Sequence, residues 1–153
     1  MKTYEANLDA RGLRIGLVAA RFNETVVRRL VDGAIDCVHR HGGAPDAVEL
    51  AWVPGAWELP LVARRMAESG RYDALVAIGA VIRGDTAHFT YVADRAAEVA
   101  RVADDTGVPV ANAVLTTETY EQAVDRAGGK LGNKGWEAAQ AAIEVARLLD
   151  AVK

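Results

Sequence analysis

The chain has 153 residues, 51% of them hydrophobic and 25% charged, so a single globular domain over residues 1–153 is expected. A net charge of −3 without a basic run argues against a nucleic-acid partner, and one cysteine excludes an intramolecular disulfide and a cysteine-based zinc cluster. No apolar run reaches the ~18 residues that span a bilayer and no signal peptide is evident, so we expect a cytoplasmic protein with no membrane partner.

Short apolar runs alternate with longer amphipathic segments along the chain. The pattern predicts four strands, at 13–20, 48–53, 73–82 and 108–115. Helices are predicted after each of them, at 24–41, about 60–69 and 89–105, with a short helix ending near 126. A loop with four glycines at 127–135 and a terminal helix at 136–152 complete the chain order. Asn23 is the predicted N-cap of the first helix, and Thr119 with Gln122 forms a capping-box pattern.

The repeated strand–helix order predicts right-handed βαβ units and therefore an α/β fold. We expect a three-layer α/β/α arrangement with a four-stranded parallel, flavodoxin-like sheet. Residues 1–7 have no place in that sheet. The interpretation is that 3–6 form a short strand that pairs with the edge of a neighbouring subunit.

Unusual residues cluster where the predicted strands end, which is the sheet edge where α/β proteins bind ligands. These turns hold Arg21–Asn23, Pro54–Glu58, Arg83–His88 and Asn112–Thr117, whereas the opposite turns resemble plain connectors. The third turn places a cation, a glycine, small polar residues and a histidine before a helix, whose N-terminal amides attract anions. It predicts an anion site with an ionisable side chain beside it.

Each polar or aromatic residue in these turns has two readings. His88 carries an imidazole, the side chain most often used for proton transfer, or it is a surface or capping histidine. The amides of 84–86 suit a phosphate, or they form an ordinary turn. Phe22 would stack on a planar ring or pack against the first helix, and Glu58 would accept hydrogen bonds from a hydroxylated ligand or cap a helix.

The Gly-rich stretch near the C-terminus is flanked by two cations. Arg126 and Lys134 suit phosphate contacts, with surface solvation as the alternative. Gly132–Gly135 could pass for a phosphate loop, but the P-loop spacing is absent. Cys37 lies in an apolar helical stripe and is predicted to be buried and structural. The residues alone therefore indicate an α/β domain that binds a small anionic ligand, with His88 as proton shuttle.

Several of these segments together resemble the 6,7-dimethyl-8-ribityllumazine synthase family over essentially the whole chain. They are Ala20–Asn23, Trp52–Pro60, Gly79–Thr86 with His88 and Phe89, Val114–Glu118, Glu121–Ala123 with Arg126–Gly128, and Gly132–Gly135. The resemblance implies condensation of 5-amino-6-ribitylaminouracil with 3,4-dihydroxy-2-butanone 4-phosphate in riboflavin biosynthesis, without a metal or a redox cofactor.

The resemblance also implies roles for individual residues. His88 would be the catalytic residue. The implied substrate-binding residues are Phe22, Ala56, Trp57, Glu58, Ala80, Val81, Ile82, Gly84, Asp85, Thr86, Asn112, Arg126 and Lys134. Phe22 would stack on the pyrimidine, Ala56 and Glu58 would hold the ribityl chain, and the 84–86 turn would hold the phosphate together with Arg126. Val81 and Lys134 would orient the pyrimidine.

In this family the site lies between two subunits, so Asn112, Arg126 and Lys134 would come from the neighbour. The implied partners are further copies of the chain, as a pentamer and a shell of pentamers, with riboflavin synthase as another candidate. The chain departs from the family pattern at Ala87, at Thr90, where an acidic residue is common, and at Asn112, where some members have Phe.

Three other classes of protein are alternatives to this family. A signalling receiver domain needs an acidic cluster after the first strand, where this chain has Arg21–Asn23. A container that has lost catalysis and a flavin-binding relative both stay open.

Overall fold

Six strands and six α-helices make up the computed structural model, which describes all 153 residues. The strands are β1 (Ile15–Ala20), β2 (Val48–Val53), β3 (Ala74–Ile82), β4 (Val110–Thr117), β5 (Ala127–Gly129) and β6 (Gly132–Asn133). The helices are α1 (Glu24–Arg40), α2 (Leu59–Glu68), α3 (His88–Ala97), α4 (Val99–Thr106), α5 (Tyr120–Arg126) and α6 (Lys134–Ala151), and a 3₁₀ turn at Ala56–Glu58 precedes α2. None of the helices is both long enough and apolar enough to cross a membrane.

The main sheet has four parallel strands in the order β2-β1-β3-β4, which confirms the predicted flavodoxin-like arrangement. Ile15 of β1 lies opposite Val48 of β2 and Ala74 of β3, and Leu75 lies opposite Val110 of β4. Because all four strands run in one direction, the turns after β1, β2 and β3 meet at one edge of the sheet.

Helices cover both faces of the sheet and enclose a separate apolar layer on each side. Neighbouring residues of one strand point to opposite faces, so Leu17 joins the layer under α1 and α6 while Val18 joins the layer under α2 and α4. Both side chains are fully buried. This burial on two sides explains why β1 reads as a continuous apolar run.

The C-terminal Gly-rich stretch was only partly a loop. Residues 127–133 contain the antiparallel pair β5-β6, and α6 begins at Lys134, two residues before its predicted start. Asn133 caps α6, because its Oδ1 accepts from the Trp136 amide at 3.1 Å, and its Nδ2 donates to the Arg29 carbonyl of α1 at 3.0 Å. The segment therefore joins two helices.

Two other predicted elements differ from the structure. The single helix predicted at 89–105 is interrupted at Glu98, where the amides of Glu98 and Arg101 bond to carbonyls three residues earlier, the tighter 3₁₀ pattern. Strand β4 lies two residues later than predicted. Pro109 lacks an amide hydrogen but accepts from the Leu75 amide at 2.8 Å, so the strand begins after it.

The N-terminal residues form no strand within the chain, and residues 1–5 are exposed. The following turn is tied to α6 by Arg147, whose Nε donates to the Asp9 carbonyl at 2.8 Å. The pairing of residues 3–6 with a neighbouring subunit therefore stays a prediction.

The Cys37 thiol is fully buried in α1, as predicted. Burial, with a smaller contribution from the Asp36 carboxylate, raises the pKa of this thiol from 9.0 to about 11. Since the thiolate is the reactive form, we expect iodoacetamide at pH 8 to label the native protein about 100-fold more slowly than the urea-unfolded protein. Comparable labelling rates in the two states would show that α1 opens readily.

Candidate functional site

A cavity of about 600 Å³ lies at the carboxyl edge of the sheet, a volume in the usual range for small-molecule sites. It is bounded by the turns after β1, β2 and β3 and by the first turns of α3. The lining residues are Phe22, Asn23, Pro54, Gly55, Ala56, Trp57, Glu58, Ala80, Val81, Ile82, Gly84, Thr86, His88, Phe89 and Val92. The wall is thus mainly apolar, with a few polar groups.

Most of the residues predicted to bind substrate lie along this one cavity. They are Phe22, Ala56, Trp57, Glu58, Ala80, Val81, Ile82, Gly84 and Thr86, together with the predicted catalytic His88. Three turns that are far apart in sequence thus lie together, because the carboxyl ends of parallel strands share one edge of the sheet. Their roles toward a substrate stay predictions.

Four predicted residues lie outside the cavity. Asp85 belongs to the same exposed turn as Gly84 and Thr86, but it does not line the wall. Arg126 ends α5, where its Nη1 donates to the Gln122 carbonyl at 2.9 Å, and Lys134 begins α6 beside Glu137, with Nζ and Oε2 3.0 Å apart. Within one chain, neither cation reaches the cavity.

Asn112 was predicted both within the strand at 108–115 and in a strand-end turn over 112–117, and only the strand assignment is confirmed. Because β4 runs from 110 to 117, Asn112 lies within the strand, opposite Ala77 of β3. It is exposed, and its Oδ1 accepts from the Val114 amide at 2.9 Å. Strand β4 is an edge of the sheet, so this side chain is presented at the outside of the subunit.

The turn between β3 and α3 offers unpaired amides beside the cavity. The N–H groups of Gly84, Asp85, Thr86 and Ala87 donate to no carbonyl or side chain of the chain, while the amide of His88 donates to Thr86 Oγ1 at 3.3 Å. The positive end of the ten-residue helix α3 adds to their potential. This arrangement suits an anion.

Arg83 is not the cation of that anion site. Its Nε donates to Glu118 Oε2 at 2.6 Å, and its guanidinium lies 4.7 Å from the centre of the Phe89 ring. Its amide donates to the Thr117 carbonyl at 2.9 Å, which fastens the turn to the end of β4. No arginine or lysine lines the cavity.

Phe22 stands at the mouth of the cavity with 72% of its surface exposed, and it belongs to neither apolar core layer. Phe22 is therefore not part of the core under α1, and stacking on a planar ring stays its predicted role. Glu58 combines both of its readings. Its Oε2 accepts from the Gly55 amide at 3.0 Å, as a cap of the 3₁₀ turn, and its half-buried side chain also lines the cavity.

Asn23 occupies the predicted N-cap position of α1 and also lines the cavity, a place for which it was not predicted. Its side chain caps nothing in α1. Instead its Nδ2 donates to the carbonyl of Ala80 at 2.8 Å, and its φ of 60° is the only positive value outside glycine. The available signal was an asparagine next to a strand end, since asparagine tolerates the left-handed region.

Four other lining residues had no predicted role of their own: Pro54 and Gly55, which lie in the predicted strand-end turn Pro54–Glu58, and Phe89 and Val92. Phe89 and Val92 are three apart in α3, a spacing that places both on one helix face. As for metals, no group of three or more His, Cys, Asp or Glu side chains lies close enough together to hold an ion.

A family model described as 6,7-dimethyl-8-ribityllumazine synthase matches residues 12–150 of this chain. The match spans the four strands of the main sheet, all the turns around the cavity, helices α1 to α5, and α6 except for its last residue. It agrees with the resemblance that the strand-end motifs carry. The chain therefore belongs to the 6,7-dimethyl-8-ribityllumazine synthase family, whose enzymes are transferases of riboflavin biosynthesis.

Proposed function

We propose that this protein condenses 5-amino-6-ribitylaminouracil with 3,4-dihydroxy-2-butanone 4-phosphate to 6,7-dimethyl-8-ribityllumazine, releasing phosphate and water. The observation that supports it is the content of one cavity: an exposed aromatic ring, a carboxylate, unpaired amides and a histidine. These groups match a planar ring, a ribityl chain, a phosphate and a proton transfer. Residues 1–153 are proposed to act as one domain.

Phe22 would stack on the pyrimidine, and Val81 would line its other boundary. Glu58 and the backbone at Ala56 would hold the ribityl hydroxyls, while the amides of 84–86 would bind the phosphate. His88 stands exposed at the start of α3 beside that turn. It would move protons during imine formation, phosphate loss and ring closure.

A neighbouring copy of the chain would complete the site. The cavity has unpaired amides for an anion but no cation, while Arg126 and Lys134 lie elsewhere on the surface. We therefore propose a homo-oligomer in which Asn112, Arg126 and Lys134 reach the neighbour's cavity. The proposed unit is a pentamer, with a shell of pentamers and binding of riboflavin synthase as further proposals.

The direct test mixes the purified protein with both substrates and follows lumazine fluorescence and free phosphate in parallel. We expect both products to appear in equal amounts and above the uncatalysed rate. Omitting the butanone phosphate gives the matched control. A background rate with the ribityl-pyrimidine still bound would overturn the proposal in favour of a container or a flavin-binding relative.

Replacing His88 with alanine is expected to lower kcat by about 10²-fold, the low end of the usual range for a placed proton donor. The reason is that both substrates bring their own amine and carbonyl groups, so positioning supplies much of the rate. Steady-state kinetics measure the effect, with KM for each substrate expected to change little. Complete loss of activity would show that proton transfer, and not positioning, dominates.

A further inference from the structure

We propose that Asn23 is a positioning residue that holds Phe22 at the mouth of the cavity for the planar ring of the substrate. The inference rests on the proposed function and extends it to a residue with no assigned role. Asn23 follows Phe22 directly and also lines the cavity.

The backbone at Asn23 adopts a conformation that a helix start does not need. An N-cap residue normally has extended backbone angles and turns its side chain onto the first amides of its helix. Asn23 has φ 60° and ψ 44°, and its side chain makes no such bond. It still accepts the amides of Val26 and Val27 at its own carbonyl, both at 3.1 Å. The side chain of Asn23 therefore makes no capping bond, although its carbonyl still accepts the first hydrogen bonds of α1.

The side chain instead joins the ends of two neighbouring strands. Asn23 Nδ2 donates to the carbonyl of Ala80, 57 positions further along the chain, at 2.8 Å in a partly buried position. Ala80 lies in β3 and lines the same cavity. On the other side, the amides of Arg21 and Phe22 donate to the carbonyls of Val53 and Pro54 at 2.8 and 3.2 Å. The turn is therefore fixed to β2 and to β3.

Phe22 itself has little else to hold it, because most of its surface is exposed and it joins neither core layer. Its direction depends on the backbone on both sides of it. Residues that several contacts hold in a sparsely populated backbone region, as Asn23 is held here, cluster at sites where geometry must be set before a ligand arrives. Asn23 would therefore lower the cost of ordering Phe22 when the ring binds.

Two variants separate the side-chain bond from the backbone conformation. Asn23→Gly keeps easy access to the left-handed region but removes the bond to Ala80. Asn23→Asp keeps the shape, although its carboxylate cannot donate to a carbonyl. For both, we expect KM for the pyrimidine to rise about tenfold, as for the loss of one partly buried hydrogen bond. KM for the butanone phosphate should change less than about twofold in the same variants.

A binding measurement that needs no turnover accompanies the kinetics. A 5-nitro analogue of the pyrimidine lacks the reacting amine, so its dissociation constant reports ring binding alone. We expect this dissociation constant to be about tenfold higher in Asn23→Gly than in the wild type. In the Phe22→Ala background, adding Asn23→Gly should raise it less than about twofold, because the effects of coupled residues are not additive. Thermal unfolding of each variant verifies the fold.

The outcomes are distinct. Unchanged analogue binding in a folded Asn23→Gly would overturn the inference and leave Asn23 a structural tie. An equal loss with and without the Phe22 ring would also overturn it, because Asn23 would then act independently of Phe22. A wild type that binds the analogue but forms no lumazine would refute the proposed function, and the binding comparison would still test Asn23.

Discussion

Replacing Arg126 with alanine is expected to lower kcat/KM for the butanone phosphate by about 10³-fold. The cavity holds unpaired amides but no cation, so an anion there lacks a charged partner within one chain. Arg126 Nη1 donates to the Gln122 carbonyl, and the other N–H groups of the guanidinium can make a bidentate contact with a phosphate. Losing one member of a desolvated charge pair costs about 2–5 kcal/mol, and this range includes the ~4 kcal/mol that corresponds to a 10³-fold change.

Three controls make this measurement specific. Arg126→Lys should recover part of the activity, since lysine keeps the charge but not the planar fork. Arg101→Ala removes the same charge from an exposed position of α4 outside the cavity and should have no effect. If two neighbouring subunits form each site, assemblies that mix equal amounts of the Arg126→Ala and His88→Ala variants should regain activity in about a quarter of their sites. An intact site needs His88 from one subunit and Arg126 from its neighbour in the ring, and each is present about half of the time.

The contrary results are equally clear. A larger loss in His88→Ala than in Arg126→Ala would mean that proton transfer outweighs phosphate anchoring. No gain on mixing the two variants would place both residues in the site of one subunit. That outcome would contradict the separation of Arg126 from the cavity seen in the chain.

The sheet and the position of the site could be predicted because they follow from local patterns. An apolar run such as 74–78 has to be covered on both faces, and alternation with helices then leads to a parallel sheet. In such a sheet the carboxyl ends share one edge, which is how Phe22, Glu58 and His88 were expected to meet. The capping box at Thr119 is equally local, and it is present, with the Gln122 amide 3.1 Å from Thr119 Oγ1.

The details that escaped prediction depend on contacts between distant residues. The Asn23 side chain turns away from its helix because the Ala80 carbonyl is within reach, and Arg83 turns away from the anion site because Glu118 directly follows β4. Neither partner is visible in a window of neighbouring residues. The same holds for Asn112, whose place depends on the register of β4 against β3.

Gly135 belongs to the Gly132–Gly135 stretch that could pass for a phosphate loop, but in the structure it is needed for the packing of two helices. Replacing it is the second change for which we expect a large effect. A methyl group on Gly135 would lie 1.9 Å from the Leu30 carbonyl oxygen, and the next nearest atoms are also Leu30 backbone. Because backbone cannot turn aside as a side chain can, α1 and α6 would have to separate. We expect Gly135→Ala to lower the free energy of unfolding by about 3 kcal/mol, the upper range for overpacking.

Urea unfolding at one protein concentration measures this loss, since assembly would otherwise shift the apparent stability. Gly70→Ala adds the same methyl group where no atom lies within 4 Å, at a φ of 71°, and should cost only about 1 kcal/mol. Equal losses in the two variants would mean that α6 shifts without penalty. The expected difference would show that Gly135 is required because two helix backbones cross there, which brings Lys134 to the surface as the first residue of a fixed helix.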